Sequence, residues 1–296
     1  MLLALKLALV PAFLAALTAA GRVWGPSVAG WLAGLPVVAG PIVLLLALER
    51  GPAFAAQASA ASIAAIAASE AFNFAYAWTC RRFAWPLALA VGMAGWVGVA
   101  MLLTQLASGL MWAVAAAGVA VAVSQGGLPR ASGPVPAARG GLGDLAVRML
   151  AGALLTVAVT TLSASMGATW SGLLSVFPLL GIVLAVSAQR AHGADFVALL
   201  MRGMVIGRAS FTAFFAVIAT MLPHDGVWLS FACAAVVSVI VQGASKRMLA
   251  AKRPVGALSR ELVERHPWIE AVGPLCPCQL TAGAESAEPE FAACQR

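Results

Sequence analysis

Apolar residues run through this chain in blocks of about 20, the length a helix needs to cross a hydrocarbon layer of roughly 30 Å. Nine blocks are predicted, near 2–21, 27–48, 52–77, 84–104, 107–124, 145–164, 170–189, 194–221 and 226–243. The third and eighth are long enough to tilt, kink or split. Pro36 and Pro178 interrupt the second and seventh at equivalent points. Each removes a backbone hydrogen bond that must be satisfied elsewhere. The stretch from Gln125 to Gly143, rich in Gly, Pro and Ala, reads as an exposed linker. From about Ser245 the chain becomes polar. There Ser259–Arg265 has the charge pattern of a short surface helix, and the Ala- and Glu-rich end is expected to be disordered.

The pattern occurs twice. Gly25, Gly30, Pro36 and Gly51 return as Gly167, Gly172, Pro178 and Gly193, every pair 142 positions apart. Lys6 and Arg148 share that offset, as do Phe54 and Phe196. Duplication in so apolar a chain predicts a membrane protein of two related halves, a frequent design among transporters.

Composition supports the bilayer as solvent. With 62% hydrophobic and only 10% charged residues, the chain has too little polar surface to cover a water-soluble globule. The net charge of +7 sits between apolar runs rather than along one face, which argues against nucleic acid as a partner. Arg81, Arg82, Arg130, Arg139, Lys246, Arg247, Lys252 and Arg253 fall on one side of a nine-span arrangement. The connections near Gln105, Ser165 and His224 carry no Lys or Arg. This predicts an outside N-terminus and a cytoplasmic C-terminus, with Arg50, beside Glu49, as the exception. The first span also reads as a signal peptide, but the repeat of Lys6 as Arg148 favours a retained span.

Together these features predict an all-α, polytopic membrane helix bundle of about nine transmembrane helices. Two inverted four-helix units, 1–104 and 144–244, flank a connecting helix and Gly/Pro linker at 105–143, and a cytoplasmic tail follows from 245 to 296. The connecting helix reverses the second unit, a 4+1+4 plan. Ala29-Gly30, Pro36 and Glu49-Arg50-Gly51, with Lys6 early in the first span, resemble the GlpM-type family of small bacterial inner-membrane proteins. The resemblance covers about residues 3–104 and is looser in the second unit, where Ala191, His192 and Gly193 replace the Glu-Arg-Gly triplet. It implies a four-span unit in a bacterial inner membrane. The overall plan is similar to that of the drug/metabolite transporter superfamily, a likeness of architecture that does not by itself imply function.

Charges inside the hydrocarbon region mark candidate function. Glu70 in the third span and Arg202 and Arg208 in the eighth qualify. Counted from the cytoplasmic side, Glu70 lies roughly 10 Å deep and Arg202 roughly 12 Å, at 1.5 Å per residue. The matching depths predict a Glu70–Arg202 pair, with Arg208 deeper and facing a polar cavity that attracts an anionic or polar substrate. The bland alternative has both arginines snorkelling to head groups. Asn73, almost one turn from Glu70, joins the pathway because an amide in lipid needs a partner. Gln57, Ser59, Ser62, Ser69, Ser210 and Thr212 lie at similar depths, where structural roles are favoured. Gly30, Pro36, Gly172 and Pro178 predict either kinked helices with free carbonyls or close helix packing.

Trp24, Trp78, Trp85, Trp170 and Trp228 fall near span ends, where indole rings prefer the interface. Cys276, Cys278, Cys294 and His266 lack the spacing of a zinc site. Catalytic triads, carboxylate pairs and phosphate loops are not visible, so neither an enzyme nor a cofactor is expected. The leading expectation is a secondary transporter or exporter of a small polar or anionic solute by alternating access, with protons at Glu70 as a coupling option. The alternative is a non-transporting membrane subunit or scaffold that stabilises or regulates a partner complex. Expected partners are the lipid bilayer and a small solute, with a homo-oligomer left open.

Overall fold

A computed structural model describes residues 2–37, 39–106, 109–131, 142–165 and 167–251. The Lys6 side chain, the expected surface helix at 259–265, His266, and the tail cysteines 276, 278 and 294 lie outside the described residues, as does most of the linker, 132–141. The chain divides into a body, Met1–Ser245, and a tail, Lys246–Arg296. All regular elements among the described residues are helical: α1 (Leu2–Trp24), α2 (Pro26–Ala33), α3 (Ala39–Arg50), α4 (Pro52–Thr79), α5 (Trp85–Gln105), α6 (Leu110–Gly127), α7 (Leu142–Ser165), α8 (Ala168–Ser175), α9 (Leu179–His192), α10 (Ala194–Asp225) and α11 (Val227–Ala251).

Among the described residues, six segments are long and apolar enough to cross a membrane: α4, α5, α6, the α8–α9 stretch Ala168–His192, α10, and Val227–Ser245 of α11. Six of the nine expected spans are matched in this way, and α1, α2–α3 and α7 are helical at the other three expected places. Large apolar side chains such as Met111, Leu154, Trp228 and Val239 are exposed on α6, α7 and α11. In water such surfaces would be a liability, whereas a multi-pass membrane protein turns them to lipid. Trp24, Trp78 and Trp228 are exposed near helix ends, as expected of interfacial indoles.

The repeat is visible in the backbone. Helix starts at Pro26, Pro52 and Trp85 recur at Ala168, Ala194 and Val227, with the sequence offset of 142. Gly51 and Gly193 both take positive φ, 90° and 83°, at the tight turns into α4 and α10, which an L side chain rarely tolerates. Both interrupted spans break in the same way. Gly34 N–H donates to Trp31 and Leu35 N–H to Leu32, and at the equivalent positions Val176 N–H donates to Leu173 and Phe177 N–H to Leu174. These i→i−3 bonds tighten the last turn before the proline. The next helices then start on the proline carbonyls, through Gly40 N–H to Pro36 and Ile182 N–H to Pro178. Both spans are therefore fully broken at Pro36 and Pro178.

Two apolar clusters set the central packing. One joins Ala68, Phe72 and Tyr76 of α4 to Phe196, Val197 and Met201 of α10. The other joins Ala58, Ile63 and Ile66 to Phe214, Phe215 and Ile218. Late α4 thus meets early α10 and early α4 meets late α10, so the two run antiparallel. Around them α2 packs on α10 and α8 on α4. Glycine makes both approaches possible: a Cβ on Gly30 would collide with the Leu200 carbonyl, and one on Gly172 with the Ala58 carbonyl. These four residues are again related by the repeat. Lipid gives helices little hydrophobic reason to associate, so this backbone proximity is a main source of cohesion.

Gly30→Ala and Gly172→Ala are each expected to destabilise the fold by about 1–3 kcal/mol, because rigid backbone must yield. Gly98→Ala, with no atom within 4 Å of its would-be Cβ, is expected to be silent. Thermal unfolding of the detergent-solubilised variants by fluorescence-detected size exclusion checks the contrast.

Candidate functional site

A buried charged pair lies at the waist between the two clusters. Arg208 Nε donates to Glu70 Oε1 at 2.7 Å, with the Glu70 side chain 1% exposed and that of Arg208 12%. α4 supplies the acid and α10, at its middle, the base. Asn73, three residues on from Glu70 and on the same helix face, donates through Nδ2 to the same Oε1 at 3.3 Å. Glu70 Oε2 is buried and makes no hydrogen bond among the described residues.

This arrangement corrects the expected Glu70–Arg202 pair. Arg202 instead donates to the carbonyls of Leu128 at 2.7 Å and Gln125 at 3.3 Å, capping the C-terminal end of α6. A guanidinium there satisfies orphan carbonyls and complements the helix dipole. Equal depth counts misassigned the partner because the helix ends are staggered. Glu70 lies about 13 Å from the end of α4, and Arg208 about 21 Å from the start of α10. Nothing in the sequence disclosed that α6 ends beside Arg202. The same end of the molecule gathers Trp78 Nε1 donating to Gly127, and Arg81 at 3.6 Å from Asp195.

Arg208 also lines a cavity of about 60 Å³ between the two breaks, with Leu35 from the first break, Phe177 and Pro178 from the second, and Ser69 and Asn73 from α4. Of the candidate pathway residues, the structure therefore brings Glu70, Asn73 and Arg208 together and leaves Arg202 apart. Pro178 reaches the cavity, while Gly30 and Gly172 serve the close helix packing.

Carbonyls at the breaks are not left bare. Ser69 Oγ donates to Val176 O at 2.9 Å, and Ser62 Oγ reaches Gly172 O at 3.2 Å while pairing with Ser175. At the first break the tie differs: Gln242 Nε2 of α11 donates to Trp31 O at 2.7 Å and accepts from Ser210. Met204 and Phe211 occupy the positions in α10 equivalent to Ser62 and Ser69, so α10 carries no counterpart of these serine ties. Gln242 was missed by sequence reasoning, though an amide near the end of an apolar segment was an available signal. Also missed was Tyr76, whose hydroxyl donates to Gln189 Oε1 at 2.7 Å and ties α4 to α9.

No protein-family model, characterised protein or solved structure matches the chain. A buried, hydrogen-bonded ion pair next to a small cavity that Ser69, Asn73 and Ser175 also line, and next to two broken helices, can exchange its partners for a ligand, at the cost of leaving a charge unpaired meanwhile.

Removing one partner, as in Glu70→Ala or Arg208→Ala, is expected to cost roughly 3–5 kcal/mol of stability. The double variant Glu70→Gln/Arg208→Gln should recover much of it. Chemical unfolding in detergent should therefore give a large coupling for Glu70 with Arg208 and essentially none for Glu70 with Arg202.

Proposed function

We propose that the chain is a secondary transporter or exporter of a small polar or anionic solute, working by alternating access between two inverted units. The observation that carries this reading is the Glu70–Arg208 pair at the crossing of α4 and α10, beside a cavity flanked by both helix breaks. Paired charges placed inside an apolar bundle are costly and occur where an ion or polar solute must pass.

Support for the inversion comes from α4 and α10, equivalent in the repeat yet antiparallel, the relation imposed by a two-fold axis in the membrane plane. On this reading the nine helical segments form the 4+1+4 plan, with α6 as the connector. The end that gathers Arg81, Arg82, Arg130 and Arg202 faces the cytoplasm of a bacterial inner membrane. The N-terminus is then outside and the C-terminus inside.

In the mechanism, the two units rock about the α4–α10 crossing. Packed interfaces switch between discrete arrangements rather than deforming continuously, and the breaks at Pro36 and Pro178 supply the joints. Solute binding at Arg208 supplies the differential affinity that shifts the population from one opening to the other. A non-transporting subunit would need a dry interface around Arg208; the cavity there favours transport.

Purified protein in vesicles is expected to catalyse uptake and efflux of at least one solute from a metabolite and anion panel. Arg208→Ala should reduce that flux to the level of empty vesicles, while Arg202→Ala, which removes only a cap on α6, should retain most of it.

A further inference from the structure

The two members of the ion pair face different spaces. Arg208 lines the 60 Å³ cavity between the breaks, which Glu70 does not line. Glu70 lines a separate space of about 320 Å³ between α4 and α6, with Ala67, Ala71, Phe74, Val123 and Ser124, which Arg208 does not line. The pair is thus approached from two directions. Arg208 commits Nε to Glu70, and its Nη1 and Nη2 groups make no hydrogen bond among the described residues. Glu70 keeps Oε2 unpartnered on a side chain that is 1% exposed.

From this geometry we infer that the site takes a small monovalent anion at Arg208 together with one proton at Glu70; the inference rests on the transport reading above and names its substrate class. The resting pair is neutral. Adding an anion alone would leave a net negative charge in a low-dielectric interior, which desolvation opposes. If a proton adds to the Glu70 carboxylate to give the acid, the Arg208 guanidinium is released to pair with the anion. The charge of the site then stays at zero before and after. Bidentate donation from the guanidinium suits a planar oxyanion or a carboxylate. The small cavity has room for a few water-sized groups, which limits the anion to a few heavy atoms. A zwitterion spanning the pair would keep neutrality without a proton, but it would need both charges in one cavity.

The groups around Glu70 leave Arg208 as its counter-charge. The helices α5, α6 and α8 contain no titratable side chain. In α3 these are confined to the C-terminal Glu49 and Arg50, and in α9 to Arg190 and His192. From α10 come Arg208 at its middle, Arg202, which is engaged by α6, Asp195 in the first turn, which faces Arg81, and His224 and Asp225 at the far end. On α4 itself the neighbour is Tyr76, which donates to Gln189.

Nitrate is a suitable probe because its conjugate acid is strong and does not leak through bilayers as the neutral acid. Titration calorimetry of the detergent-solubilised full chain, in two buffers of different ionisation enthalpy, should show nitrate binding with uptake of about one proton. Glu70→Gln, which imitates the protonated acid, should bind nitrate with no proton uptake. Glu70→Gln/Arg208→Gln should remain monodisperse and bind none. Nitrate binding to the wild type without proton uptake would overturn the inference. So would loss of nitrate binding in a monodisperse Glu70→Gln protein, or failure of nitrate, chloride, formate and acetate all to bind the wild type. The transport reading fails separately: if any solute in the panel is moved by an Arg208-dependent route, that reading stands even when the anion–proton inference falls.

Discussion

The ion pair between Glu70 and Arg208 is the constraint on which the rest of the structure turns. Two formal charges inside an apolar bundle persist only if they meet at short range and their surroundings supply further hydrogen bonds. Their meeting fixes the level at which α4 crosses α10, with one apolar cluster on each side of the crossing. Asn73 holds the carboxylate from its own helix, and the two breaks keep a small cavity beside the base. A carboxylate satisfied on one oxygen only is a partner that can still accept a proton or a donor.

Duplication supplies the frame in which the pair sits. The same glycines admit α2 against α10 and α8 against α4, and the same prolines end the first half of each broken span. The halves differ where chemistry is placed. Thr212 stands opposite Glu70 in the repeat, and Ile66 opposite Arg208, so a single acid and a single base occupy a frame that could hold two of each. Serines tie the second break to α4, whereas Gln242 ties the first to α11.

Much of this was legible in the sequence because its signals are local. The offset of 142 located the equivalent turns at Gly51 and Gly193 and the breaks at Pro36 and Pro178, since glycine and proline constrain the backbone wherever they stand. Glu70, Asn73 and Arg208 were identifiable because a polar group in an apolar segment is costly without a partner. What remained hidden depended on tertiary register. The pairing of Glu70 with Arg208 rather than Arg202 follows from the stagger of α4 and α10 and from the position of the α6 terminus, neither of which leaves a mark on residue spacing. Gln242 and Tyr76 were hidden for the same reason, as their partners lie far along the chain.

Alternating access would open the waist to each side of the membrane in turn, which side-specific labelling detects. Leu35 and Phe177 are equivalent in the repeat and both line the cavity beside Arg208. With the native cysteines replaced, a single cysteine at either position can be challenged with a membrane-impermeant maleimide in right-side-out and inside-out vesicles. Each position is expected to be labelled from both sides, with the balance between sides shifted by a transported solute. Labelling from one side only, or from neither, in a correctly inserted protein would contradict alternating access.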